Sequence, residues 1–296
     1  MPIPESQLET WSYQGSVTQS SDTYQTIRRA LFASDTSYAG MSFDVFLQGS
    51  YGNDTNIYAE SDVDVVIRLD SIFGSNIADL SLAEQQAHHG LFPNATYSFS
   101  DFRAGVLAAL VSRFGDTAVK MGNKAITIKA EGSRRSADVV VCYQYRFYRK
   151  FDPNRPDDCT FGIVFPTANG DVINYPKQHA ENLTSQHQFT GQMLKPMVRI
   201  LKNMRSWMVE NAMLREGIAP SYNLEGLFYN VPSGQYVTTS FGDTFCNGIN
   251  WVLDADRKKL VCANWQYYLL GTLNVQWNDA DFDAFLAAAC KLWKEW

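Results

Sequence analysis

The chain has 296 residues, 45% of them hydrophobic and 19% charged, which is enough apolar matter for a substantial core in one large domain or two lobes and excludes a disordered or fibrous protein. Its formal charge of −6 argues against broad, sequence-independent nucleic-acid binding, which rests on many cationic contacts to phosphate, but leaves room for a local basic cluster that holds a small anion. The opening MPIPESQLETWSYQGSVTQSS lacks the basic and apolar segments of a leader, and no run of about 18 apolar residues occurs, so the expectation is a soluble cytoplasmic protein without membrane contact. The five cysteines are scattered without C-x-x-C spacing or nearby histidines, which reads as reduced thiols rather than a zinc site.

In chain order, Ser20 and Ser21 precede DTYQTIRRALFA, whose apolar and aromatic positions recur at helical spacing, and predict a serine-capped helix. FDVFL (43–47) reads as a strand, Gly49 through Ser61 as a polar glycine-containing loop, and VDVVIRL (63–69) as a second strand. Residues 71–98 give mixed signals, read as irregular structure with one short helix. Ser100 is expected to cap FRAGVLAALVSRF, with Gly115 as its stop. AVKMG, AITIKAEG and ADVVVCYQYR follow as three short β-branched runs, a meander added to the same sheet. From about residue 151, after the Pro/Asp/Asn-rich FDPNRPDD, helical periodicity dominates. Four helices are predicted: HAENLTSQH, FTGQMLKPMVRILKNMRSWMVEN, SYNLEGLFYN, and DADFDAFLAAACKLWKEW behind the cap Asp279. Pro196 either opens the second of these at its first turn or kinks it. The fold class is therefore α+β, with a mixed sheet in an N-terminal lobe (1–150) and a helical C-terminal lobe (151–296) closing an active-site cleft.

Asp62 and Asp64 lie two residues apart on a predicted strand, so both carboxylates project from one face. Two hard divalent cations about 3.5–4 Å apart would neutralise them, although an Asp-Val-Asp at a sheet edge facing water has the same pattern. Gly49-Ser50 ends the preceding strand a dozen residues earlier, and a glycine there lets backbone N–H groups approach phosphate while the serine hydroxyl donates. Asp138 opens the apolar strand ADVVVCYQY, where a carboxylate is costly unless paired, bound to metal or at the surface. Lys195, Arg199 and Lys202 share a helix face opposite Leu194, Met197, Val198 and Leu201, a pattern that equally describes a solvated basic stripe. His179 is read as a structural hydrogen-bonding histidine rather than one lining a cleft.

This combination of Gly49-Ser50, Asp62-Val63-Asp64 and Asp138 resembles the polymerase-β-like nucleotidyltransferase superfamily. GNKAITIKAEGSRRSADVVV, YPKQHAENLTSQH, MVRILKNMRSWM and PSYNLEGLFYNVP further resemble the bacterial CD-NTases, the cyclic-oligonucleotide synthases related to animal cyclic GMP-AMP synthase; the likeness spans about residues 20 to 270. The resemblance implies a two-lobed enzyme that joins ribonucleoside triphosphates into a cyclic di- or trinucleotide, releasing pyrophosphate, with Mg²⁺ (or Mn²⁺) as cofactor. It assigns Asp62, Asp64 and Asp138 as metal-binding and catalytic carboxylates and Gln48, Gly49 and Ser50 as the phosphate-holding turn. Lys202 and Ser221 would touch phosphate, Tyr222 would stack on a base, and Asn182 would read a uracil edge. It also implies anti-phage signalling through a separate effector protein. The zinc-binding insertion of the animal enzyme has no counterpart in this sequence, so direct sensing of double-stranded DNA is not expected. A nucleotidyltransferase acting on an RNA end or a small molecule uses the same carboxylates and stands as the alternative, although no long basic track for RNA is present.

Overall fold

A computed structural model describes residues 2–15, 17–58 and 62–296. In chain order the elements are α1 (Glu5–Ser12), α2 (Thr18–Leu31), β1 (Phe43–Leu47), α3 (Gly49–Gly52), β2 (Val63–Asn76), α4 (Leu82–Leu91), α5 (Phe99–Phe114), β3 (Val119–Met121), β4 (Ile126–Ile128), β5 (Ala137–Phe147), β6 (Thr160–Thr167), β7 (Gly170–Asn174), α6 (Pro176–Phe189), α7 (Leu194–Glu210), α8 (Ser221–Tyr229), α9 (Phe241–Asp254) and α10 (Asp279–Glu295). They form two compact units, one of residues 18–47 and 62–176, the other of residues 1–17, 48–61 and 177–296. The α+β expectation holds.

The first unit is built on the sheet. β2 and β5 run parallel at its centre, β1 is antiparallel to β2, and the far side of β5 pairs with β4 through its first residues and with β6 through its last. The alternation legible in VDVVIRL decides which side is buried. Val63, Val65, Ile67 and Leu69 are fully buried, as are Ala137, Val139 and Val141 beside them, and α2 and α5 lie against β2 and β5. The alternate positions form the other face, where Val66, Val140 and Cys142 make a smaller cluster with Ile163 and Phe165. Asp62, Asp64 and Asp138 open that second row.

Several boundaries differ from the expected ones. Strand β2 continues to Asn76, and α4 starts from a capping box in which the Ser81 hydroxyl and the Glu84 carboxylate satisfy each other's backbone N–H groups. Helix α5 is capped by Ser98 rather than Ser100, because Ser98 has extended backbone and its hydroxyl accepts from Asp101 N at 3.1 Å; Gly115 ends the helix at φ 85°, as expected. Asn278, not Asp279, caps α10, accepting from Asp281 N at 2.8 Å. The hairpin β6–β7 adds two strands to the sheet, so this unit runs to Pro176, beyond the expected change at 150. The predicted 49–61 loop carries the short helix α3, and its residues 59–61 lie outside those described.

The second unit is helical around α7, which meets α1, α8, α9 and α10. Leu194, Met197, Val198, Ile200, Leu201, Met204 and Met208 of α7 are fully buried, together with Leu224, Leu227 and Phe228 of α8 and Phe282 and Phe285 of α10. Each such side chain contributes about 1.5–3 kcal/mol relative to exposure. Pro196 sits in the first turn of α7, where its missing N–H costs the ladder nothing.

Candidate active site

In the sheet unit, the parallel register sets Asp64 directly opposite Asp138 on the neighbouring strand, with Asp62 two residues ahead on the same face. Thr127 of β4, itself opposite Asp138, donates its hydroxyl to Asp138 Oδ1 at 2.7 Å, and Ser136 donates to Asp62 Oδ1. Asp62 is exposed; Asp64 and Asp138 are partly buried. Strand pairing thus brings Asp138 beside the Asp62 and Asp64 pair, from which sequence separates it by more than 70 positions. As the side chains stand, no three acidic, histidine or cysteine groups among the described residues converge on a single ion. The donor set nonetheless fits a hard divalent cation in chemistry and backbone placement: carboxylate oxygens only, at matched positions of adjacent strands.

In the helical unit, the turn after Gln48 is formed as Gly49 takes φ 61°, a left-handed conformation that favours glycine, and the chain then closes on itself through Asn53 N to Gly49 O and Thr55 N to Ser50 O. The Gln48 amide oxygen is buried without a hydrogen-bond partner among the described residues. Lys202 reaches this turn from α7 and donates to Ser50 Oγ at 2.6 Å and to Thr55 O at 2.9 Å. Lys202 is 0% exposed and Lys195 6%, so the solvated-stripe reading of this helix face is overturned. Lys195 Nζ donates to Asp54 Oδ2 at 2.8 Å and Arg199 Nη1 to Asp54 O at 2.7 Å, which holds Asp54 at φ 56°. Burial pushes the Arg199 guanidinium down to about 10.

Helix α8 begins with Ser221, whose hydroxyl accepts from Arg205 Nη1 at 3.2 Å. Tyr222 stacks on His179 with ring centroids 4.8 Å apart, and its hydroxyl accepts from Asn264 Nδ2 at 2.9 Å; burial raises its pKa. Asn182 donates to Ala263 O at 2.7 Å. His179 is buried, as a structural histidine should be, and its Nε2 lies 2.7 Å from Glu225 Oε2. Glu225, Asn53 and Thr55 are absent from the sequence-derived site. The available signal was Glu225 itself, a carboxylate within the apolar run NLEGLF, which must be paired if buried.

Residues 181–294 match the family model of the cGAS/DncV-like nucleotidyltransferase C-terminal helical domain. Across its full length the chain is 42% identical to the cyclic UMP-AMP synthase of Rhodothermus marinus, covering 100% of this chain and 99% of that protein. The chain belongs to the CD-NTase family. It is 32% identical to the cyclic nucleotide synthase CdnE01 of Staphylococcus haemolyticus, with complete coverage of both chains. The structure of the R. marinus CdnE c-UMP-AMP synthase with Apcpp and Upnpp superposes with a TM-score of 0.89 at 40% identity, covering 100% of this chain and 98% of that one. As a CD-NTase, this protein is a nucleotidyltransferase that makes cyclic oligonucleotides from nucleoside triphosphates. Among its described residues no helix is long and apolar enough to cross a membrane.

Proposed function

We propose that this CD-NTase makes a cyclic dinucleotide containing uridine and adenosine, the product named for its R. marinus relative. The whole-length identity of 42% to that synthase carries the reading. Relatives at 28–32% identity include dipurine, dipyrimidine and GMP-AMP synthases, so membership of the family alone does not fix the bases; near-complete coverage at the higher identity favours one pair. A hydroxyl of one nucleotide attacks the α-phosphorus of another, and pyrophosphate leaves; a second transfer closes the ring.

Asp62, Asp64 and Asp138 would hold divalent metal, Mg²⁺ or Mn²⁺. When bound, such ions neutralise the triphosphate and the charge that develops on it. Asp138 also accepts or positions the proton of the attacking hydroxyl, a role that suits a carboxylate held in place by Thr127. Ser50, Lys202 and Ser221 bind phosphate oxygens, with Gln48 and Gly49 shaping the turn. Lys202 is suited to this because its ammonium is already fixed at Ser50 and costs little to reorganise. The base stacks on Tyr222, an interaction worth about 1–3 kcal/mol. Asn182 pairs with uracil: its bond to Ala263 O fixes the amide plane, and the amide oxygen and second N–H match the donor and acceptor on a uracil edge. The enzyme works in the cytoplasm, in anti-phage signalling, through a separate effector protein that binds the product and without sensing double-stranded DNA itself.

The deciding experiment incubates purified protein with all four ribonucleoside triphosphates and Mg²⁺ or Mn²⁺, then applies phosphatase and mass spectrometry. A phosphatase-resistant product of one uridylate and one adenylate is expected. A purely purine product would refute the base assignment, and linear products alone would refute cyclisation.

A further inference from the structure

Three segments of the helical unit meet at one carboxylate. Glu225, in the second turn of α8, is 2% exposed. Its Oε2 accepts from Asn53 Nδ2 at 2.9 Å and lies 2.7 Å from His179 Nε2, while Oε1 accepts from the Thr55 hydroxyl. Asn53 and Thr55 close the turn that carries Ser50, and Lys202 spans the same turn from Ser50 Oγ to Thr55 O. On its other side, the imidazole of His179 lies flat against Tyr222, at an interplanar angle of 22°, and its Nδ1 is buried with no hydrogen-bond partner among the described residues.

Burial alone would raise the pKa of Glu225. The hydrogen bond to His179, with Lys202 and Thr55, outweighs that and holds it below the usual carboxylate range, so Glu225 is an anion at neutral pH. A buried anion is a poor device for stability alone, since apolar packing of the same volume does as well or better. It is a good device for fixing geometry, because its acceptor directions are divided between two other segments, the turn of Asn53 and Thr55 and the helix of His179.

Resting on the reading of the site given under Proposed function, we propose that Glu225 is a positioning residue: it ties the phosphate-holding turn, through Asn53 and Thr55, to the base-stacking ring of Tyr222, through His179. The consequence is a coupling in which a disturbance at the base end of the site is felt at the phosphate end, even by a ligand that has no base.

The test is calorimetric titration of the full-length protein with Mg²⁺ tripolyphosphate. His179→Phe keeps an aromatic face for Tyr222 but removes the nitrogen that reaches Glu225. It should weaken tripolyphosphate binding about fivefold, Glu225→Gln about tenfold, and the double variant no more than Glu225→Gln alone, the non-additivity of residues acting as one unit. An unchanged affinity in His179→Phe, or losses that multiply, would overturn the coupling. Should His179→Phe fail to fold, Thr55→Val tests the other half of the link, between Glu225 and the turn, by deleting one hydroxyl. Its loss of affinity should vanish in the Glu225→Gln background, and an independent loss overturns the proposal. Wild-type protein that cyclises nucleotides while the losses multiply sinks the coupling alone; wild-type protein that binds no triphosphate sinks the reading of the site with it.

Discussion

The sheet unit and the helical unit handle charge in opposite ways. In the sheet unit, Asp62, Asp64 and Asp138 stand at the start of their strands, exposed or partly buried, with Ser136 and Thr127 hydroxyls as hydrogen-bond donors to two of them. In the helical unit, Lys202 and Glu225 are buried completely, and both are bonded to the turn between Gly49 and Thr55. Carboxylates left near solvent cost the fold little and keep their affinity for cations. Charges buried in a satisfied network are part of the fold, and removing one leaves the others unpaired in a dry interior. Function and stability should therefore separate in the first unit and fall together in the second.

The largest effect tests the first half of that contrast. Asp62→Ala and Asp64→Ala should each lower cyclic-product formation by at least about 10³-fold while changing unfolding free energy by no more than about 1 kcal/mol. Product yield by mass spectrometry and urea denaturation check the two halves separately. A variant that unfolds would erase the contrast; one that still cyclises nucleotides would remove the carboxylates from the chemistry.

Lys202→Met tests the second half. It leaves the Ser50 hydroxyl, the Thr55 carbonyl and the Glu225 carboxylate without the ammonium and should cost about 3–5 kcal/mol of stability as well as activity. A loss below about 1 kcal/mol in urea denaturation, with activity still abolished, would make Lys202 a purely functional cation like the carboxylates of the sheet.

The same contrast explains what the sequence revealed. In VDVVIRL and ADVVVCYQY, β-branched runs mark the central strands and the two-residue spacing of Asp62 and Asp64 sets both on one face, so the strands and the carboxylates at their heads were legible. The hairpin β6–β7 was not, because FDPNRPDD reads as an interdomain connection and TFGIVFPT carries a glycine and a proline that mask the strand. Helix α9 went unread because Gly242 and Gly248 lower its helix propensity, although its amphipathic pattern is clear and the Ser240 hydroxyl accepts from Asp243 N as a normal cap. Lys202, Ser221 and Tyr222 came from family resemblance; periodicity alone left Lys202 on a stripe indistinguishable from a solvated one. Glu225 escaped both routes, since its role depends on Asn53 and Thr55, some 170 positions away, and spacing within one helix cannot report that meeting.

Base choice gives a smaller, sharper test. If the Asn182 amide reads uracil, Asn182→Ser should reduce uridylate incorporation relative to adenylate by about tenfold, roughly 1.4 kcal/mol, in competition among the four triphosphates. Total turnover with the other bases should hold. Unchanged proportions would move uracil recognition away from Asn182.

The smallest expected effect concerns pH. His187, on α6, accepts the Lys195 N–H at Nδ1 (3.3 Å), and its imidazole is pushed down to about 4, first by burial and then by Lys195 and Arg199. In the unfolded chain the same ring gains its proton near pH 6.5. Between about pH 6.5 and about 4 the unfolded chain therefore binds more protons than the folded one, and stability falls as pH drops through that window. Above it the ring is neutral in both states and contributes no slope. His187→Gln keeps an acceptor for Lys195 and removes the titration. From pH 7 to pH 4.5 the variant should gain on the wild type by about 1 kcal/mol, allowing for solvent screening of a half-buried ring. Urea midpoints that run parallel across that range would show that the proton has no cost at His187 and that the basic face of α7 is better screened than its burial implies.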